Sequence, residues 1–140
     1  AITKSAARGL TLGAHFIFGL PGESKEDMMN MAFEINNLPV HSVKFHQLQI
    51  IRGTAMEKEF KEHPGDFVHF TIEEYIEFFV DFLELLKPEI YIERFAGEVP
   101  PRFVDTTPWG SIRNAELLKM LEKRLEERNT RQSAKFYPQL

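Results

Sequence analysis

The chain contains no cysteine in its 140 residues. That excludes disulfides, thiol nucleophiles and iron–sulfur ligation by these residues, since each needs a sulfur the sequence does not offer. No apolar run approaches the roughly 20 residues of a membrane-crossing helix, so no membrane partner is expected. Positive charge is not in excess either: 17 Lys and Arg face 21 Asp and Glu, for a net charge of -4. A free-standing nucleic-acid binder would carry a basic footprint, although local basic patches stay open. The opening "AITKSAARGLTLG" has neither a methionine nor the long apolar centre of a signal peptide, so the chain is expected to begin mid-protein, in a cytoplasmic molecule.

What is present is the material of one domain. The composition is 43% hydrophobic with 13 Phe, and a chain of this length buries roughly two thirds of its unfolded surface. "LGAHFIFG", Leu12 to Gly19, is a short apolar run closed by Gly and Pro, and reads as a strand buried on both faces. Ser24 with Asp27 approximates a capping box before a helix over Lys25 to Asn36, stopped ahead of Pro39. "HSVKFHQLQII", His41 to Ile51, alternates, with Val43 and Phe45 on one face and Lys44, His46, Leu48 and Ile50 on the other.

Thr54 with Glu57 makes another capping box before a short helix carrying Met56 and Phe60, which "EHPGD" breaks. Thr71 with Glu74 caps the strongest helix, whose stripe is Ile72, Tyr75, Ile76, Phe79, Leu83 and Leu86; Lys87-Pro88 ends it. "EIYIERF", Glu89 to Phe95, is a third strand. The irregular "AGEVPPRFVDTTPWG" follows, then a helix from about Ser111 to Arg128 that buries Leu117, Leu118, Leu121 and Leu125.

Strand–helix alternation is the grammar of parallel βα units, because parallel strands need crossovers. Three strands make only an arc of an eight-stranded barrel, which takes about 250 residues. The expected fold is therefore α/β: a partial, incomplete TIM-like βα barrel with parallel strands and a C-terminal helical extension. Residues 1–110 are assigned to the barrel part, and 111–140 to a helix and tail packed on it. An arc exposes edge strands, through which the fragment is expected to self-associate.

In such folds ligands sit at the carboxyl ends of the strands. "GLPGE", Gly19 to Glu23, lies at that end of the first strand, and a flat, partly apolar ligand can lie against it; equally, Gly-Leu-Pro-Gly can be only the turn. It is not a P-loop, lacking the Lys and Ser/Thr after its second glycine. His46, Gln47 and Gln49 end the second strand at the same mouth, where single polar residues are also ordinary surface chemistry.

The segment "GAHFIFGLPGE" resembles the fifth-strand motif of radical S-adenosylmethionine (SAM) enzymes, and "VKFHQLQIIRGTAM" resembles their sixth strand in the branch with oxygen-independent coproporphyrinogen oxidase and the elongator catalytic subunit. Together with "ERFAGEVPP", "PWG" and "LEERNTRQSAKFY", the order is similar to that of the YhcC/YtqA family over nearly the whole chain. The resemblance implies that Ile17 packs against the SAM adenine, that Gly19 shapes the turn beside it, and that Gln47 and Leu48 approach the adenine through backbone and apolar contacts. His15 stands where the motif has its first glycine, and Glu23 is implied as a structural carboxylate tying loops together. His46, Arg94 and Glu98, with Gly97 and Trp109, are implied as a substrate wall or a barrel closure.

The resemblance also implies a 4Fe-4S cluster held by a missing N-terminal half of the same protein, because the three-cysteine motif of the family is not in this chain. No catalytic residue is identified here, and no metal ligand. The implied whole enzyme cleaves SAM reductively, the fragment alone being inactive, and relatives in the family are connected to the tRNA wobble uridine. Lys119, Lys123, Arg124, Arg128, Arg131 and Lys135 are then candidate phosphate contacts, unless they are interspersed charge on a solvated helix among Glu116, Glu122, Glu126 and Glu127. The rival from another class is a non-catalytic α/β module that binds a nucleotide or a protein. A CxxxCxxC segment upstream of Ala1 would decide between them.

Overall fold

A computed structural model describes residues 1–104, 109 and 112–138. After a short helix α1 (Ile2–Ala6), strand β1 (Gly13–Phe18) leads into α2 (Lys25–Asn37) and back to β2 (Ser42–Gln47). Then come α3 (Ala55–Glu62), a 3₁₀ turn at Pro64–Asp66, α4 (Ile72–Leu85), β3 (Tyr91–Arg94), a second 3₁₀ turn at Pro101–Phe103, and α5 (Asn114–Glu127). The strands form one parallel sheet in the order β1-β2-β3, as expected for a partial barrel. The boundary expected between residues 110 and 111 lies outside the described residues.

Local chemistry sets the helix ends. Ser24 Oγ accepts from the Asp27 amide at 3.1 Å while Asp27 Oδ2 accepts from the Ser24 amide at 2.8 Å, the reciprocal box that satisfies two orphan donors. Thr71 and Glu74 repeat it at 3.1 and 2.9 Å. At α3 the box is incomplete: Thr54 caps Glu57, but the Glu57 carboxylate turns to the Gly53 amide at 2.8 Å. α4 stops because Lys87 precedes proline and is pushed out of the helical region. Asn36 then stands in for the lost backbone partners, donating to Leu85 O at 2.9 Å and accepting from the Lys87 amide at 2.8 Å, which locks the ends of α2 and α4 together.

The core lies on one side of the sheet. Phe18 and Phe45 stack at 5.2 Å between ring centres, and Phe78, Phe79 and Phe82 of α4 set their edges against one or both. Such edge-to-face pairs add about 0.5–1.5 kcal/mol each beyond the burial of the rings. α5 covers the far side of α4 with Leu117 and Leu121, and Leu125 packs beside them. Leu118, expected inside, is 37% exposed, because a helix in contact with only one neighbour buries a narrow stripe.

Three strand expectations are corrected. β1 is not buried on both faces: Gly13, His15 and Ile17 are exposed while Phe18 is buried, since the helices cover only the Phe18 face of the strand. β2 ends at Gln47 rather than Ile51, and β3 is four residues long, Tyr91–Arg94. Leu48 to Ile50 leave the sheet, with Ile50 buried and Ile51 making a lone bridge to Val104.

Candidate functional site

The tips of β1, β2 and β3 converge on one cavity of about 390 Å³. Its floor is Gly19 and Gln47 to Ile50, one wall is Phe67 to His69, and the opposite wall is Gly97 to Pro101 with Trp109 and Arg113 at the side. Strand polarity explains the place. In a parallel sheet all carboxyl ends lie on the same edge, so the loops that follow them meet.

The β1 loop is built around Glu23. Its Oε2 accepts from the amides of Gly19 at 2.8 Å and Leu20 at 3.1 Å, so the carboxylate ties the turn together, as its place in the motif implies. Gly19 has φ +86, and a Cβ there would sit 3.5 Å from Val68 O and 3.9 Å from Leu48 Cβ. The backbone conformation, more than the space, is what requires glycine. Leu48 is anchored by its amide to Phe18 O at 2.8 Å.

Gln47 acts as a surrogate backbone. Its Oε1 accepts from the Gly97 amide at 2.8 Å and its Nε2 donates to Gly97 O at 3.2 Å, with Gln49 reaching the same carbonyl at 3.4 Å. This clamp holds the loop after β3 over the sheet, so a Cβ on Gly97 would lie 3.0 Å from His46 Nδ1. Glu98 is a helix cap: its Oε1 accepts from the Asn114 amide at 2.7 Å and from Asn114 Nδ2 at 2.8 Å, and these two bonds hold the carboxyl below its ordinary value. Trp109 donates its indole N–H to Phe70 O at 2.9 Å and packs 4.6 Å from Tyr75.

Of the four residues expected to contact a cofactor, Gly19, Gln47 and Leu48 line the cavity. Ile17 does not. It stands in register with His46, and alternation turns both onto the open face of the sheet, where Ile17 is 43% exposed. On that face the His15 and His46 rings stack at 5.4 Å. Below them Lys44 pairs with Glu93 at 3.1 Å, and Ser42 Oγ donates to the same carboxylate at 2.5 Å. Burial first, and then the charges of His15, Arg94 and Lys44, hold His46 below its ordinary pKa. Its Nε2 is buried without a hydrogen-bond partner among the described residues. Arg94 makes no ion pair among the described residues.

Sequence reasoning missed the Phe67–His69 wall, the Gln47–Gly97 clamp and the Glu98 cap. None has a local signature, since each joins segments more than a dozen residues apart. The candidate phosphate contacts of the last helix are largely committed elsewhere. Arg128 reaches Glu77 at 3.3 Å, Asp81 at 2.7 Å and Glu84 at 3.5 Å; Arg124 pairs with Glu77 and Glu127, Lys135 with Glu84, and Lys123 lies 3.8 Å from Glu127.

An adenine ring fits the cavity in size and in its largely apolar lining, with the φ +86 turn at Gly19 letting the backbone approach closely. An iron–sulfur cluster does not fit this chain's donors, since no thiolate is available. No helix among the described residues is long and apolar enough to cross a membrane.

Comparison with known proteins gives the chain its family. The chain is 30% identical to the uncharacterised protein MJ0486 of Methanocaldococcus jannaschii over 137 residues, covering 98% of this chain and 42% of that protein. It is 30% identical to the uncharacterised protein YtqA of Bacillus subtilis over 139 residues, 99% of this chain and 42% of YtqA. Protein YhcC of Escherichia coli K12 is 35% identical over 51 residues, 36% of this chain and 16% of YhcC. The chain thus spans less than half the length of these relatives. Among solved structures, the archaeal Methanocaldococcus infernus Elp3 with an N-terminal deletion shares the fold at a TM-score of 0.72 and 23% identity, over 94% of this chain and 30% of that one. With the radical SAM C-terminal domain matching residues 40–127, more than half of the sequence, the chain belongs to that family.

Proposed function

We propose that this chain is the C-terminal part of a radical SAM enzyme, contributing the adenine contacts and one wall of the substrate chamber, and that the whole enzyme modifies the wobble uridine of tRNA. The observation that carries the reading is the convergence of Gly19, Gln47 and Leu48 on a single cavity of about 390 Å³ at the strand tips. When bound, SAM and a 4Fe-4S cluster held by the rest of the protein supply reductive cleavage chemistry. The residues of this chain bind and orient. Leu48 offers apolar surface to a ring, Glu23 fixes the Gly19 turn, and Gln47 holds the Gly97 loop down as a lid edge. The open face beside Ile17, with His46 and Arg94, is the side toward substrate.

Calorimetry with SAM on the full-length protein tests the adenine contacts. Leu48→Asp sets a carboxylate against an apolar ring and should weaken binding at least tenfold. Unchanged affinity with the fold retained overturns the assignment. For the RNA part, mass spectrometry of tRNA nucleosides from cells lacking the gene should show altered wobble uridines, and an unchanged profile rejects that substrate.

A further inference from the structure

We infer that the upper half of the open sheet face, at His15, His46 and Arg94, is a subsite for an oxyanion carried by the substrate. The inference rests on the reading of this face as the substrate side.

The charges on the face are sorted along the strands. Toward the amino-terminal ends, Glu93 accepts from Ser42 Oγ and pairs with Lys44 at 3.1 Å, so that region is internally neutralised. Toward the carboxyl ends no carboxylate is bonded to His15, His46 or Arg94 among the described residues. Glu98 is near enough to feel Arg94 and Glu93 to feel His15, but Glu98 Oε1 is committed to Asn114 and Glu93 to Ser42 and Lys44. The parallel register sets His15 beside Lys44, Ile17 beside His46 and Lys44 beside Arg94, with Glu93 as an extra residue of β3 opposite the Val43–Lys44 step.

The result is a planar five-donor guanidinium and a stacked imidazole pair on three adjacent strands. An Arg fork with imidazole donors matches the geometry of a phosphate or carboxylate. The orphaned Nε2 of His46 is the unsatisfied polar atom such a group completes. Burial first, and then the charges of His15, Arg94 and Lys44, hold the His46 pKa down, and an anion among these groups opposes that depression. An arriving anion would therefore raise the His46 pKa.

The test is an NMR titration of histidine side chains with inorganic phosphate at constant ionic strength, so that general screening stays fixed. His41 is the internal control, because it lies before β2 and accepts from the Leu12 amide at 3.2 Å. His15 and His46 should shift saturably while His41 does not, and the His46 titration midpoint should rise in saturating phosphate. Arg94→Gln should weaken binding at least fivefold, Arg94→Lys less, and Arg102→Gln, whose guanidinium lies over Phe103, not at all. Uniform shifts at all histidines, or full affinity in Arg94→Gln, overturn the subsite.

Uridine 5′-monophosphate and SAM form two further arms. Displacement of phosphate by the nucleotide supports a substrate anion. Displacement by SAM alone assigns the subsite to the carboxylate of SAM and overturns the proposal. Leu48→Asp separates this inference from the adenine assignment: it should weaken SAM binding at least tenfold and leave the phosphate titration intact. If phosphate fails to bind the wild type while SAM binding responds to Leu48→Asp, only the oxyanion subsite falls.

Discussion

The two faces of the sheet are made by alternate residues of the same strands, and they solve opposite problems. On the helix side Phe18, Val43 and Phe45 are buried to within 1% of complete and meet a layer of aromatic rings from α4. On the other side His15 stacks on His46 and Lys44 pairs with Glu93. Adjacent residues such as Phe45 and His46 therefore differ more in what they do than residues at opposite ends of the chain. The lesson is that period-two alternation places stability and chemistry one residue apart, so a register slip of one would destroy both.

The sharpest break of this contrast is Phe45→Ala against His15→Ala. Removing a fully buried ring from between Phe18, Phe79 and Phe82 should cost about 3–5 kcal/mol. His15 is exposed, and its loss should stay within about 0.5 kcal/mol. Urea unfolding monitored by circular dichroism reads both. Equal losses would mean that the open face is packed as a core, and the division of labour between the faces would be wrong.

Next in size is Glu84, the one buried charge among the described residues. The segment after α5 folds back to serve it: Thr130 Oγ1 donates to its Oε1 at 2.7 Å, Lys135 pairs with it, and the Ser133 and Lys135 amides bond the carbonyls of Leu83 and Glu84 at 2.9 and 2.8 Å. Burial pushes this carboxyl up, but the bonds from Lys135 and Thr130 and the charges of Lys135 and Arg128 outweigh it and hold the pKa below the ordinary value. A carboxyl depressed on folding stabilises fully above its unfolded value, about 4.5, and loses that contribution as pH falls through the folded one. Glu84→Gln should cost about 2 kcal/mol at pH 7. The gap to wild type should close as pH falls below about 4.5 and through the depressed folded value; a gap independent of pH would show that the carboxylate charge contributes nothing.

A smaller effect concerns the edges. β1 and β3 each pair on one side only, and Tyr91 at the β3 edge is 70% exposed. Unpaired strand edges seek partners, so the isolated chain should associate as its concentration rises. A strictly monomeric species in light scattering at high concentration would show that the edges are protected without a partner.

How much of this was legible follows from range. Ser24–Asp27, Thr71–Glu74 and the Val43/Phe45 alternation are decided within four residues, and they emerge from the sequence as they stand in the structure. The overlong reading of β2 has a physical cause: Leu48 and Ile50 continue the alternation, yet after Gln47 the chain follows the Gly97 clamp and the Phe18 carbonyl instead of the sheet. At the site, Gly19, Gln47 and Leu48 were brought to the cavity by the topology alone, since parallel order puts their strand ends together. Glu98 could not be told from a substrate contact, because its cap on Asn114 spans sixteen residues through a loop.

The mildest probe is Lys44→Gln, which asks whether the open face is tuned by charge and not by packing. The Lys44–Glu93 pair is about one third exposed on each side, so its loss should change stability by no more than about 1 kcal/mol, and less at high salt. The electrostatic consequence should be clearer than the energetic one. Lys44 is one of three cations that lower the His46 pKa, and removing it also frees Glu93 from its partner, so both changes favour the imidazolium. The His46 midpoint should therefore rise toward the ordinary histidine value without reaching it, because burial, the first cause of its depression, and the charges of His15 and Arg94 remain. A depressed histidine destabilises the folded chain below the unfolded value near 6.5, so the variant should also resist mild acid slightly better than wild type relative to their stabilities at pH 8. An unmoved midpoint in the NMR titration would mean that the polar groups on this face do not sense one another, and the face would be three independent strands' worth of solvated side chains.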